Sequence, residues 1–406
     1  MTGSNMRRRF CLTLVAALAL GRTIGAQSDQ PQRPELPDGA DPNDPYAYSR
    51  LGQASLVSDP RKAADAYYWA ARLNPVWAEA YYGRRTALLL SEPGKLARFF
   101  RGDRGAIDSS EALAIDSLYG HALALNPFLG PHLDHLVVRA VSRELSNQSI
   151  PSRRSAQERF FGVGSSFSQD PWEMRAVAAY NEGRYDEALR LYAKAIPQSR
   201  LKAALLAERG RLFYQVGRHD SALVETTRAV EEMRKQDEKD LVFVYRSKAL
   251  MEERIGVIHH VIGNNSAAKE AFGRALQEDL SYFPAHVQLG YLALEIGDSA
   301  TATNEMDLAV QIRPDDAGLR YQYGYALSSL NKLPQAEEQL KKAIKLNSDY
   351  ALPHFVLGQV YEAAAKRSAA LNEYRLFLSL ASRNDPRREE ASQQVQMLKS
   401  TGETTR

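Results

Sequence analysis

Small residues recur in this chain at a fixed interval of 34 positions, and this interval constrains the fold more than any other feature. Gly256, Gly290, Gly324 and Gly358 are spaced in this way. A column of alanines keeps the same interval twelve residues after each glycine, at Ala268, Ala302, Ala336 and Ala370. Self-similarity at a period of about 20–50 residues is typical of chains built from copies of one small structural unit.

Large apolar residues form a third column, four positions after each alanine: Phe272, Met306, Leu340 and Tyr374. A fourth column, three positions further on, holds Ala275, Ala309, Ala343 and Phe377. Steps of four and three residues place side chains on one face of an α-helix. Each unit is therefore predicted to contain a helix whose small residues let a neighbouring helix approach, while its large residues fill the space beside it.

A turn is predicted seven residues after each glycine of the first column. This position holds Gly263, Gly297, Asn331 and Ala365. Because glycine and asparagine accept the left-handed backbone conformation that ends a helix, each unit is predicted to be a helical hairpin. A single hairpin cannot bury both of its faces, so the hairpins must stack on one another.

These columns resemble the tetratricopeptide repeat family. The family pattern is matched by Leu289-Gly290, Ala293, Ala302, Met306, Ala309 and Pro314. The resemblance implies an all-α fold, a right-handed superhelical solenoid of antiparallel helix pairs. Six tandem repeats are predicted over residues 169–384, starting near Gln169, Ala203, Ala249, Phe283, Ala317 and Ala351. A charged insertion near residues 231–242 interrupts them, and residues 385–406 are predicted to form a capping helix and tail with Asp385 as the helix cap.

The first 26 residues have the layout of a cleaved export signal. Arg7, Arg8 and Arg9 precede an apolar run, Phe10 to Leu20, that is too short to span a bilayer as a helix. We expect the mature chain to start near Gln27 and to be periplasmic or extracellular, associated with the cell envelope. The paired arginines also resemble a twin-arginine signal, so the Sec and twin-arginine routes both stay open.

Two further segments precede the repeats. Residues 27–45 contain five prolines among polar residues and are predicted to be an extended Pro-rich linker. Residues 46–168 are predicted to be a degenerate helical region similar to the repeats, in which two second-helix patterns end at Asn74-Pro75 and Asn126-Pro127. The alternative is a separate functional insertion within residues 92–164.

Removal of the signal changes the charge balance. The whole chain has 52 basic and 49 acidic residues, a net charge of +3. The signal holds four arginines and no acidic residue, so the mature chain has 48 basic and 49 acidic residues, a net charge of −1. That balance gives no support for nucleic acid binding. The only cysteine, Cys11, lies within the signal, so the mature chain can form no disulfide.

No motif for catalysis, a cofactor or a metal stands out in the sequence. Gly162-Val163-Gly164 lacks the third glycine of a phosphate-binding loop, and His132 and His135 share a helix face without a third metal ligand. We therefore predict a protein that is not an enzyme, binds no cofactor or metal, and has no transmembrane span in its mature form. An enzyme subunit with a site in the irregular 92–164 region and a self-assembling structural spacer are the alternatives, and the oligomeric state stays open.

The family resemblance also implies where a partner would bind. In tetratricopeptide repeats the first helix of each pair lines a concave groove, mainly through its fifth, ninth and twelfth positions. A protein or peptide is therefore expected to contact ten residues: Tyr180, Tyr214, Val287, Gln288, Tyr291, Tyr321, Gln322, Tyr325, Phe355 and Gln359. Tyr291 and Tyr325 occupy the same position in adjacent repeats and are expected to form an aromatic stripe for an extended peptide. The function predicted is that of a protein-interaction scaffold or adaptor in the cell envelope.

Overall fold

The computed structural model describes residues 31–100, 103, 106–146, 171–199, 201–237 and 247–403. Within these ranges the regular structure consists of nineteen α-helices, without a β-strand. All of the helices belong to one compact unit, Pro34–Arg406. The predicted export signal, residues 1–26, lies outside the described residues, as does the latter part of the irregular region, residues 147–170.

Six helices form the N-terminal region, residues 34–146. They are α1 (Pro45–Ser55), α2 (Pro60–Leu73), α3 (Ala78–Ser91), α4 (Pro93–Phe100), α5 (Ser109–Leu125) and α6 (Asp134–Ser146). Helix α2 packs between α1 and α3, α3 also packs against α5, and α4 packs against α6. Asp59 and Asp108 cap α2 and α5, since their carboxylates accept hydrogen bonds from backbone N–H groups of the first turn.

Twelve helices form the repeat array, residues 171–380, as six pairs. The pairs are α7 (Pro171–Asn181) with α8 (Tyr185–Ala195), α9 (Lys202–Gln215) with α10 (His219–Asp237), α11 (Lys248–Val261) with α12 (Asn265–Glu278), α13 (Phe283–Glu295) with α14 (Ser299–Ile312), α15 (Ala317–Ser329) with α16 (Leu333–Leu346), and α17 (Leu352–Ala363) with α18 (Arg367–Leu380). The two helices of a pair pack against each other, and each second helix packs against the first helix of the next pair. This stack of helix pairs confirms the predicted all-α solenoid.

The charged insertion begins as a continuation of a helix. Helix α10 runs to Asp237, so residues 231–237 extend it beyond the length of the other second helices. Lys235 forms an ion pair with Glu232 at 2.8 Å on this extension. Residues 238–246 lie outside the described residues.

The turns within the last four pairs have the backbone conformation predicted from the sequence. The φ angles are 82° at Gly263, 76° at Gly297, 56° at Asn331 and 54° at Ala365. In each turn the next backbone N–H donates to the carbonyl five residues before it, which closes the helix end. The turn position therefore favours residues that tolerate positive φ, and glycine and asparagine fill three of the four places.

The glycine column marks the closest approach of the two helices in a pair. A Cβ atom added to Gly256 would lie 2.4 Å from Cε1 of Phe272, and one added to Gly290 would lie 2.9 Å from Cγ of Met306. Phe272 and Met306 belong to the third column and are 1% and 0% exposed. The large residue of the second helix thus fills the space that the missing glycine side chain leaves, which explains why both columns keep one period.

A final helix, α19 (Arg387–Glu403), covers the last pair. Asp385 Oδ1 accepts a hydrogen bond from the backbone N–H of Arg387 at 2.9 Å, so Asp385 caps this helix as predicted. Ala391 and Val395 belong to the same hydrophobic core as the last pairs of the array. The apolar end of the stack is thereby shielded from water.

The N-terminal region docks against the repeat array near both ends of the array. Arg72 forms an ion pair with Asp349 at 2.5 Å, and Asn347 Nδ2 donates to the Arg72 carbonyl at 2.6 Å. Toward the other end, the ring of Phe128 stacks on Tyr214 within a hydrophobic core that contains residues of both parts. The two parts therefore form one folded body, although more than 80 residues separate each pair of contacting positions.

Replacing Gly256 by alanine tests the close approach within a pair. The added methyl group would meet the rigid, buried ring of Phe272, whereas Gly290→Ala would meet the flexible side chain of Met306. We expect Gly256→Ala to lower the free energy of unfolding by about 1–3 kcal/mol, and Gly290→Ala to lower it by less because methionine can change rotamer. Thermal and urea unfolding followed by circular dichroism measure both variants. Equal losses would contradict the contact with the ring as the cause.

Candidate protein-binding groove

Tyr291, Tyr321 and Tyr325 lie together on the first helices of the fourth and fifth pairs, and they are called the tyrosine stripe below. The ring centroids of Tyr321 and Tyr325 are 6.4 Å apart. The pKa of Tyr291 is raised to about 12, mainly because the side chain is buried and to a smaller extent because Tyr321 and Tyr325 lie nearby. Tyr325 is 48% exposed, whereas Tyr291 and Tyr321 are partly buried. The structure therefore brings the three tyrosines together, with Tyr325 as the ring most open to a partner.

The three glutamines of the predicted surface are all partly buried. Gln288 hydrogen-bonds to Glu253 of the preceding pair. Gln359 Nε2 donates to Glu390 Oε1 of α19 at 3.3 Å, a long and exposed bond. Gln322 lies directly after Tyr321 on the same helix. Gln288 thus serves the contact between pairs, and Gln359 contacts the final helix.

Val287 and Phe355 lie beneath the surface. Val287 is 8% exposed and Phe355 is 6% exposed, and both belong to the hydrophobic core of the last pairs. The ring of Phe355 packs against Tyr374 and Phe377, with centroids 5.9 and 5.1 Å away. Their side chains hold neighbouring helices together and offer little area to a partner. Tyr321 occupies the same fifth position in its own pair but stays partly accessible.

Tyr180 and Tyr214 contact the N-terminal region. The rings of Tyr214 and Phe128 are nearly parallel, with an interplanar angle of 10° and centroids 3.6 Å apart. Tyr180 Oη accepts a hydrogen bond from Arg211 at 3.3 Å, and both side chains lie against Gly130, where a Cβ atom would not fit. The groove positions of the first two pairs therefore contact Phe128 and Gly130 of the same chain.

Arg254 completes this internal contact, and sequence reasoning missed it. Arg254 Nε donates to the carbonyl of Pro127 at 2.6 Å, and its guanidinium lies 5.8 Å from the ring centroid of Phe128. Arg254 is buried and stands one position after the fifth place of its helix, so the family pattern did not single it out. Asn126-Pro127 indicated the end of a helix, but no local signal showed that the aromatic residue after it would reach the repeat array.

Glu253 is a buried carboxyl group next to Arg254, at the fifth position of the third pair. It is 0% exposed, and Tyr282 Oη donates to its Oε2 at 2.5 Å. Burial raises the pKa of Glu253 to about 8, although the contacts with Tyr282, Arg254 and Gln288 oppose the increase. The group is thus mostly protonated at neutral pH, where it links the third pair to the fourth without carrying a full charge.

No metal site is evident in the described ranges, where histidine, cysteine, aspartate and glutamate side chains form no group of three or more that could hold an ion. His132 and His135 instead place their Nδ1 atoms 3.0 and 2.8 Å from the backbone carbonyls of Gly130 and His132. In that same part of the chain, no helix combines the length and the apolar character that crossing a membrane requires.

The raised pKa of Glu253 predicts a pH-dependent loss of stability. Because the folded pKa of about 8 exceeds the ordinary 4.5, the contribution of this group is fully present below pH 4.5 and is lost as the pH rises through about 8. Glu253→Gln cannot ionise and keeps an oxygen for Tyr282. We expect it to raise the free energy of unfolding at pH 8 by on the order of 1–3 kcal/mol relative to the parent protein, and to change it little at pH 4.5.

Urea unfolding at a series of pH values measures this difference, with Glu231→Gln on the exposed face of α10 as the matched control. A constant difference between parent and Glu253→Gln across the series would show that Glu253 does not titrate in this range. A similar pH-dependent gain in the free energy of unfolding of Glu231→Gln would also contradict the assignment of the effect to Glu253.

Comparison with known proteins gives three kinds of match. The family model described as TPR repeat matches residues 324–364. The BBSome complex member bbs-4 of Caenorhabditis elegans is 21% identical over 214 residues, which are 52% of this chain and 45% of that protein. The matched part therefore spans less than half the length of this relative.

Two solved structures are similar over about half of this chain. The C-terminal part of a TPR repeat-containing protein from Cytophaga hutchinsonii is 17% identical, with a TM-score of 0.42, over 51% of this chain and 78% of that one. YrrB, described as a TPR protein with an unusual peptide-binding site, is 21% identical, with a TM-score of 0.37, over 47% of this chain and 91% of that one. Because both TM-scores lie below 0.5, neither likeness carries a functional argument.

The matched residues 324–364 include the turn at Asn331 and all of α16 and α17. They therefore contain one full period of the array and the junction with the next pair. The same glycine, alanine and large apolar columns continue before this segment, and each period folds as the same helix pair. Residues 324–364 are thus similar to the tetratricopeptide repeat, and the other helix pairs of the array share the architecture of that matched pair.

Proposed function

We propose that this protein is a non-catalytic interaction scaffold and that its partner binds at the tyrosine stripe. The observation that carries the proposal is the exposure of Tyr325, which is 48% accessible beside the partly buried Tyr321 and Tyr291. The corresponding face of the first pairs is covered by residues 127–130, so the stripe lies on the part of the groove face that residues 127–130 leave uncovered.

The chemistry of the stripe favours an extended protein segment with apolar side chains. Tyrosine rings give a large contact area at a small cost in side-chain entropy, and their hydroxyl groups can still bond to a peptide backbone. The amides of Gln322 and Gln359 supply donors and acceptors on neighbouring helices. Membership of a protein complex, which the name of the relative bbs-4 states for that protein, is in keeping with such a role.

Site-specific photo-crosslinking tests the stripe in living cells. We expect a photoreactive p-benzoylphenylalanine at position 325 to form a discrete protein adduct, because Tyr325 is the accessible ring of the stripe. The matched control places the same group at Leu113 of α5, which is 45% exposed and lies on the N-terminal region. Adding Tyr321→Ala should reduce the adduct at position 325 several-fold. No adduct at position 325, or the same adduct at position 113, would contradict the assignment.

We further propose that the protein is exported and acts in the cell envelope, in the periplasm or outside the cell. The arginines at positions 7–9, followed by a short apolar run, support this proposal. Mass spectrometry of the N-terminal peptide from fractionated cells should find a mature chain that starts near Gln27. Arg7→Lys with Arg8→Lys should abolish processing only if export follows the twin-arginine route. A cytoplasmic chain that retains its first 26 residues would refute export.

A further inference from the structure

An acidic surface borders the tyrosine stripe, on the last pair and the final helix. Gln359 stands one period after Tyr325 and so occupies the same position in the next pair. Glu362 follows one turn later on α17, and Gln359 Nε2 donates to Glu390 of α19 at 3.3 Å. Burial raises the pKa of Tyr374, and Glu362 and Glu390 raise it further, so both carboxylates lie near this ring. Glu362 and Glu390 are called the acidic pair below.

Within the described ranges, neither carboxylate of the acidic pair forms an ion pair. Glu390 is exposed and Glu362 is partly exposed, so a partner can reach both. Nearby cations bond to other groups: Arg387 to Asp385, Lys366 to Glu337, and Arg367 and Arg388 to the backbone carbonyls of Leu398 and Ala381. This end of the groove face therefore carries an excess of negative charge, which attracts a basic group and repels an anionic one.

The spacing of the helices sets how far the acidic pair lies from Tyr325 along a bound chain. Helices α15 and α17 pack directly against each other. The axes of packed helices lie about 8–10 Å apart, and an extended chain advances about 3.3–3.6 Å per residue. An extended segment that places one side chain on Tyr325 therefore brings the side chain three residues away to Gln359 and the acidic pair.

We propose that the partner segment at the tyrosine stripe is basic, with an aromatic or large aliphatic side chain and a lysine or arginine three residues away. The apolar side chain packs on the exposed ring of Tyr325, and the cation bonds to Glu362 and Glu390. It replaces the long contact of Gln359 with Glu390, because a charged donor bonds to a carboxylate more strongly than a neutral amide does. This inference rests on the proposed function and adds the charge and the residue spacing of the partner.

Saturation-transfer NMR with blocked heptapeptides tests this inference on the full chain without its predicted signal. The probe is acetyl-Lys-Ala-Ala-Phe-Ala-Ala-Lys-amide, which has a lysine three residues from phenylalanine in either chain direction. The respaced peptide, acetyl-Ala-Ala-Lys-Phe-Lys-Ala-Ala-amide, has the same composition, and the acidic peptide, acetyl-Glu-Ala-Ala-Phe-Ala-Ala-Glu-amide, has the opposite charge. We expect the probe to bind in the millimolar range, about threefold more tightly than the respaced peptide and more tightly still than the acidic peptide.

Glu362→Gln combined with Glu390→Gln tests the acidic pair directly. Glutamine keeps an oxygen for the hydrogen bonds that both side chains accept, so circular dichroism should show an unchanged fold. The probe should bind about threefold more weakly to this double variant and lose its advantage over the respaced peptide. Glu231→Gln combined with Glu270→Gln removes two exposed carboxylates of second helices and, as the matched control, should leave affinity unchanged. Equal affinity of the parent and the acidic-pair variant for the probe would overturn the proposal.

Tyr325→Ala separates this inference from the proposed function, with Leu113→Ala on the N-terminal region as the matched control. It should weaken all three peptides several-fold, since each presents a phenylalanine to the stripe. Binding that depends on Tyr325 but is equal for the three peptides would support the stripe as the partner surface and overturn the basic partner. Absence of saturation transfer for the probe at about 10 mM would also overturn the basic partner, and crosslinking at position 325 would still decide the proposed function.

Discussion

The close approach of the two helices in each pair is the constraint on which the rest of the structure depends. In the last four pairs, a glycine on the first helix faces a large, fully buried side chain on the second, as Gly256 faces Phe272. This contact fixes the distance between the two helices of a pair. The turn with positive φ fixes where the first helix ends. Each second helix then packs against the first helix of the next pair, and the array grows by repetition.

An array of this kind leaves the inner face of its first helices without a neighbouring helix of the array. In this protein, the inner face is covered at some pairs and accessible at others. At the first pairs, Phe128 stacks on Tyr214 and Arg254 binds the carbonyl of Pro127, so the chain covers its own surface. At the fourth and fifth pairs the tyrosine stripe stays accessible through Tyr325. The N-terminal region thus covers the inner face at one part of the array and leaves Tyr325 accessible at another.

Local sequence signals predicted the elements that depend on local interactions. The turn at Asn331, the cap at Asp385 and the facing columns of the array all follow from backbone preference and helical spacing. The accessibility of the predicted groove positions was harder to predict from the sequence, because one position can have different surroundings in different pairs. The fifth position is buried as Val287 and Phe355, partly open as Tyr321, and a buried carboxyl group as Glu253. Burial depends on the side chains that neighbouring pairs supply, and a family pattern averages over these.

The sequence by itself determined the repeating unit, its all-helical character and the number of residues between successive pairs, because each of these rests on contacts within about one period. Only the tertiary structure decided where the N-terminal region lies, and with it which groove residues stay accessible. That arrangement rests on contacts such as those of Arg72 with Asp349 and of Phe128 with Tyr214, whose partners are remote in the sequence and share no periodic pattern. Such contacts depend on the shapes of two finished surfaces, and those surfaces exist only after the helices have packed.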